Sequence, residues 1–218
     1  MQYVTWIGFG IFWMFLSFDP VSRFAWVLEN VLLVCFLAVY LTSYRTVSWT
    51  TQSFVAVLAF LLLHVIGAHF TYSLVPYDEL FESSFGVGIN QLFGWHRNQF
   101  DRLVHFAYGL LLSIPLYERL SRARCRFVGA TTVMLVMSSS LVYEFIEWGA
   151  VLVLAGDEGM AFLGAQGDPW DAHKDMFLAV LGSVITVTVL WLWLGPFGSQ
   201  LRRKPSAGLV RASKFGSV

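Results

Sequence analysis

The sequence predicts an all-α membrane protein: a polytopic bundle of about six transmembrane helices with both termini cytoplasmic. Three observations lead there. Apolar residues make up 57% of the 218 residues and charged residues 13%, where soluble domains run near a half and a quarter. Aromatic residues reach 17%, more apolar surface than a small water-soluble globule can hide. Six apolar stretches recur along the chain between polar turns. A soluble enzyme, a disordered chain and a disulfide scaffold are excluded on these grounds. Lys+Arg 14 against Asp+Glu 14 leaves no global field to attract nucleic acid. Cys35 and Cys125 have no partner spacing and read as small packing residues.

A hydrocarbon core about 30 Å thick needs about 20 apolar residues per helix. The first stretch, 3–18, is short and holds Gly8 and Gly10; without a basic n-region or a small-x-small site it reads as a retained helix. The second, 24–44, carries Glu29. The third, 53–75, ends in LLLHVIGAHFTY and brings His64 and His69. Residues 76–100 mix Tyr77, Phe81, Phe85, Phe93 and Trp95 with Asp78, Glu79 and Glu82, the composition of an outer segment lying among headgroups. The fourth stretch, 101–120, opens DRLVHF, with Asp101, Arg102 and His105. The fifth, 126–155, is long enough to tilt and carries Glu144 and Glu147 in YEFIEW. A Gly-rich outer loop, 156–170, leads into the sixth, 172–195, through GDPWDAHKD, with Asp168, Asp171, His173 and Asp175. Residues 1–195 then form a single transmembrane domain, and 196–218 a basic, flexible cytoplasmic tail.

Charge orients the bundle. With both termini inside, Arg45, Arg119, Arg122, Arg124, Arg126, Arg202, Arg203, Lys204, Arg211 and Lys214 fall on the inner side. Arg23, Arg97, Arg102 and Lys174 fall at outer ends, which is the asymmetry of the positive-inside rule.

Ionisable residues inside membrane helices cost about 2.5–3.5 kcal/mol each at mid-helix, yet here they cluster. Asp101 and His105 are i, i+4, Glu144 and Glu147 are i, i+3, and Asp171 and Asp175 are i, i+4, so each pair shares a helix face. His173 falls on the face opposite Asp171 and Asp175, and His64 and His69 lie about 140° apart. With alternating helix directions, all four clusters reach the outer half of the bundle. The expectation is one polar cavity opening to the outside, its core Asp101, His105, Glu144, Glu147 and Asp175.

Carboxylates and imidazoles on facing helices suit a divalent metal, zinc, manganese or iron, with His64, His69, His105, Glu144, Glu147, Asp171 and Asp175 as ligand candidates. A metal would polarise a phosphoryl or acyl oxygen of a lipid-linked substrate; without one, a carboxylate–imidazole pair supplies general acid–base chemistry. Arg97 and Arg102 are the residues to meet an anionic headgroup. Membrane lipids are the expected partners. Two further readings stand beside this one: a small transporter using the acids as a proton relay, and a scaffold whose polar cluster holds the helices together. Single residues have purely structural readings as well. Asp101 suits a helix N-terminus, Asp171 an N-cap and His105 a packed core position; Glu144 and Glu147 have no comparable alternative. Ser138, Ser139 and Ser140 read as packing residues. No GxSxG elbow, Walker A loop or CxxC pair is present.

The runs HVIGAHFTYSLVPYD, RNQFDRLVHFAYGLLLSIP, YEFIEW and FLGAQGDPWDAHKDM resemble the YjdF-type family of bacterial inner-membrane proteins over roughly residues 25–190. The resemblance implies a multi-pass inner-membrane protein and brings no activity with it. A weaker similarity is to VanZ-like membrane proteins, some linked to glycopeptide-antibiotic resistance. Asp101, Arg102 and His105 match that family's first element, and Glu144 with Glu147 its second. In the third, Asp-x-x-x-Asn-x-x-Gly, Asp175 and Gly182 match and Ala179 stands where the family has Asn. This similarity implies a common architecture more than a common substrate.

Overall fold

The computed structural model describes residues 2–44, 49–154 and 166–194, and every regular element among them is a helix. In chain order these are α1 (Gln2–Leu16), α2 (Arg23–Tyr44), α3 (Thr51–His69), α4 (Tyr77–Phe85), α5 (Ile89–Phe93), α6 (Phe100–Arg122), α7 (Val128–Leu154) and α8 (Asp171–Leu194). Arg45, residues 156–165 of the expected outer loop and the basic tail lie outside the described residues. Among the described residues, three helices are long and apolar enough to cross a membrane: Thr51–His69, Val128–Val153 and Asp171–Trp193. Tyr3–Leu16 is apolar but shorter. Large apolar side chains cover the outside, among them Val153, Trp191, Leu192 and Trp193. Helices apolar on their outer as well as their inner faces need a hydrocarbon solvent, so this is an integral membrane bundle.

The core starts from α3. Val57, Leu61 and Val65 recur at i, i+4 and pack with Phe9 and Leu16 of α1, Leu33 of α2 and Leu112 of α6. Helix α6 lies between α3 and α8, and α7 packs on α6 and α8. At one end of the bundle Glu118 of α6 caps α3: its carboxylate accepts from the Thr50 amide at 3.2 Å and the Thr50 hydroxyl at 2.8 Å. It also accepts from the Ser53 hydroxyl and pairs with Arg122.

The tightest contact joins α6 to α8. Asp101, His105, Gly109 and Ser113 form one i, i+4 stripe of α6, and Asp171, Asp175, Ala179 and Ser183 form one of α8. The stripes pair rung by rung, Ser113 with Ser183 through a 2.7 Å hydrogen bond across 70 residues of sequence. A Cβ on Gly109 would stand 1.8 Å from the Ala179 carbonyl oxygen, so only glycine admits this approach. Thr186 donates to the Leu110 carbonyl one turn further, at 2.6 Å.

Two boundaries differ from expectation. The third stretch ends as helix at His69, not at residue 75, because the chain reverses there with Thr71 and Tyr72 at φ of 52° and 55°. The 76–100 segment is not plain loop but carries α4 and α5, which bury no residues and leave Leu80, Phe85, Leu92 and Phe93 exposed. Tyr77 pins this excursion to the start of α6: its hydroxyl donates to Asn90 at 2.7 Å and accepts from the Gln99 amide at 2.8 Å. Cys35 and Cys125 are free thiols.

Candidate functional site: a buried His–carboxylate group between two chambers

The stripe pairing places Asp101, His105 and Asp175 together one and two turns beyond the Gly109–Ala179 contact. His105 Nε2 stands 3.6 Å from Asp101 Oδ1, and one donor atom from each of the three lies within 4.8 Å of the others. Glu144, Glu147 and Asp171 are buried at the same end of the bundle, as are His64 of α3 and Glu29 of α2. This end lies opposite Glu118. Asp101, His105, Glu144, Glu147, Asp171 and Asp175 thus share one end of the bundle, and His173 is exposed on the far face of α8.

The polar space is divided, where one cavity was expected. A cleft of about 260 Å³ runs between α2, α3, α6 and α7, with His64, Tyr72, Asp101, His105 and Tyr143 at its polar end. Its remaining walls are Leu33, Phe36, Phe60, Val104, Leu112 and their neighbours, with Tyr108, Ser139 and Ser140 the further polar side chains. Val142 and Ile146 on its rim are exposed, so the cleft opens on the flank of the bundle. A second chamber of about 190 Å³ lies between α7 and α8, lined by Glu144, Glu147, Asp168, Asp171 and Asp175. Asp101 and His105 face the first chamber and Asp175 the second, so the three-residue group sits at their junction.

The cleft also holds groups the residue spacing did not single out. Tyr72 approaches His64 Nδ1 at 2.7 Å and donates to Glu29 at 3.4 Å, and Tyr143 donates to both Glu29 oxygens at 3.2 Å. Tyr72 gets there because Thr71 and Tyr72 both adopt the left-handed region, which costs a β-branched residue most. Its ring then lies over Gly67, where a Cβ would meet ring carbon at 2.4 Å. Gly67→Ala is expected to push the ring off His64 and lower stability by about 1–3 kcal/mol; thermal unfolding in detergent checks it, and an unchanged midpoint would refute the packing argument. Only Tyr143 carried a signal in the sequence, its place directly before Glu144; Tyr72 depends on a chain reversal no periodicity announces.

His69 is turned away from the cluster. Its Nδ1 lies 2.8 Å from the Leu16 carbonyl and ties α3 to the end of α1. Of the two histidines on α3, His64 alone faces the cleft. Arg97 and Arg102 are held by acids already in place: Arg97 pairs with Asp171, and Arg102 with Asp168 and, at 3.1 Å, with Asp171. Lys174 reaches Asp168 at 2.5 Å. Hydrogen bonds from Lys174 and the Trp170 amide hold the Asp168 carboxyl well below the usual range. These pairs strap the segment before α8 onto the start of α6. A phosphate seeking either arginine must displace a carboxylate.

Residues 1–196 match the family described as predicted membrane protein (DUF2238). It is 29% identical over 173 residues, 78% of each chain, to the inner membrane protein YjdF of Escherichia coli (strain K12). No solved structure matches. With its apolar helices, this places the chain in a bacterial inner membrane.

Proposed function

The chain belongs to the DUF2238 family of predicted membrane proteins, and from that premise we propose that it binds, and acts on, an envelope lipid or lipid-linked group. In this reading α1, α2, α3, α6, α7 and α8 are six spans, both termini are cytoplasmic, and the His–carboxylate end faces outward. Helices α4 and α5 lie at the outer interface with their exposed Phe and Leu side chains among headgroups. The positive-inside asymmetry supports this orientation, since Arg119, Arg122, Arg124 and Arg126 all sit at the Glu118 end.

The observation that carries the proposal is the cleft itself. It is lined mainly by apolar side chains, opens on the flank where lipid stands, and gathers its ionisable His64, Asp101 and His105 at one end, with Tyr108, Ser139 and Ser140 the polar side chains along the rest. An amphiphile fits that gradient, its chain in the groove and its polar group against the carboxylate–imidazole pair. About 260 Å³ admits one chain segment or a small headgroup, not a whole lipid. Asp101 and His105 would supply general acid–base chemistry to a hydrolase or transferase.

The relay reading has less to stand on. Between the cluster and Glu118 the buried layer is Val57, Leu61, Leu112 and Val136, and its buried hydroxyls, Ser113, Ser183, Thr132 and Thr186, bond to each other or to backbone carbonyls, with no buried acid or imidazole among the described residues. Val142→Trp, which fills the rim of the cleft, tests the proposal. Lipid that copurifies with the wild-type chain, identified by mass spectrometry after extraction, is expected to fall several-fold in the variant. Equal amounts of the same lipids in both would sink it.

A further inference from the structure

We propose that Asp101, His105 and Asp175 form a binding site for a divalent transition metal of the zinc, manganese or iron(II) class, with Glu144 as the fourth protein donor. The inference goes beyond the amphiphile reading and does not require the cleft to be filled.

Three independent features support it. The first is donor geometry. One imidazole nitrogen and two carboxylate oxygens, from two helices, lie within 4.8 Å of one another. Ligands about 2.0–2.2 Å from a common ion stand about 3–3.6 Å apart, so side-chain shifts of about an ångström are needed to close the shell. The second is unmet hydrogen bonding. Asp175 is 3% exposed and Glu144 is 7% exposed, and each keeps one buried carboxylate oxygen without a hydrogen-bond partner. Both line the chamber between α7 and α8. Buried polar atoms are almost always satisfied, so two orphaned oxygens facing one small chamber indicate a missing electrophile. The third is charge. Salt bridges from Arg97, Arg102 and Lys174 are made to Asp168 and Asp171, and with Asp101, Asp175, Glu144 and Glu147 the same end holds six carboxyl groups to those three cations. A divalent cation supplies what is lacking.

The backbone holds the donors ready. His105 is one turn above Gly109 and Asp175 one turn above Ala179, at the contact where the two helices come closest. Helix spacing at the donors is therefore set by backbone against backbone, not by flexible side chains. One imidazole with three carboxylates is a harder set than a structural zinc site and has no sulfur, which disfavours copper(I).

The test uses the full chain, purified in detergent, stripped with chelator, dialysed against zinc or manganese and measured for metal per chain. Near one ion per chain is expected, with affinity about a hundredfold lower or less in both Asp175→Asn and His105→Gln. Val142→Trp should keep full metal binding, which separates this inference from the lipid reading. Metal should also raise the thermal midpoint of the wild type and not that of Asp175→Asn. A stripped wild-type chain with a cooperative unfolding transition that takes up no metal at tenfold excess would overturn the site. So would folded Asp175→Asn and His105→Gln variants that bind as the wild type does.

Discussion

Gly109→Ala is expected to destabilise the bundle by about 3 kcal/mol or more, and Gly182→Ala by a comparable amount. The added methyl at 109 would stand 1.8 Å from the Ala179 carbonyl oxygen and 2.7 Å from its carbon; at 182 it would stand 2.4 Å from the Phe106 oxygen and 2.7 Å from the Leu110 nitrogen. None of these atoms can swing aside, because all are helix backbone. The helices must part, and parting them breaks the Ser113–Ser183 and Thr186–Leu110 hydrogen bonds. It also draws Asp175 away from His105, so metal uptake should fall together with stability. Gly149→Ala is the control: nothing lies within 4 Å of its Cβ position, and alanine gains up to about 1 kcal/mol of helix propensity. Thermal unfolding in detergent compares them. A Gly109→Ala midpoint equal to that of Gly149→Ala would mean that the α6–α8 contact does not set the register of the site.

The second large effect has the opposite sign. In metal-free protein at neutral pH, Glu144→Leu is expected to stabilise the fold by about 1–3 kcal/mol. Glu144 is buried, lies one turn from Glu147, shares a chamber with Asp171 and Asp175, and has an oxygen with no partner. Leucine has similar bulk and needs no partner, so the substitution removes an unmet demand and a like-charge repulsion together. A scaffold whose polar cluster holds the helices together predicts loss of stability from the same change, because a former partner is left unpaired. Unfolding midpoints of chelated wild type and variant decide between them. Metal should then reverse the order by stabilising the wild type more. A less stable Glu144→Leu in chelator would favour the scaffold.

Much of the site was legible before the fold. The i, i+4 and i, i+3 pairs share faces in the structure as their spacing requires, because 3.6 residues per turn leaves no alternative within a straight helix. The opposite face of His173 followed from the same arithmetic. The stripes could have been followed further. Gly109 and Ser113 continue the line of Asp101 and His105, and Ala179 and Ser183 continue that of Asp171 and Asp175. Two parallel rows, each running from charged to small residues, already state which helices meet and in what register. Ala179 is fully buried, and its backbone oxygen sits where Gly109 approaches.

What composition and periodicity settled by themselves was the solvent, the helices and the face each polar pair occupies, since hydrophobic transfer and helix geometry act locally. Only the tertiary structure decided that His64 faces the cleft while His69 holds α1, because the end of α3 is set by a reversal at Thr71 and Tyr72. It alone decided that the polar space is two chambers with Asp101, His105 and Asp175 between them, and that Arg97 and Arg102 are held by Asp171 and Asp168. These are matters of rotation and distance between helices far apart in the chain. They follow from which backbones can touch, and that depends on two glycines meeting the opposite helix at the right height.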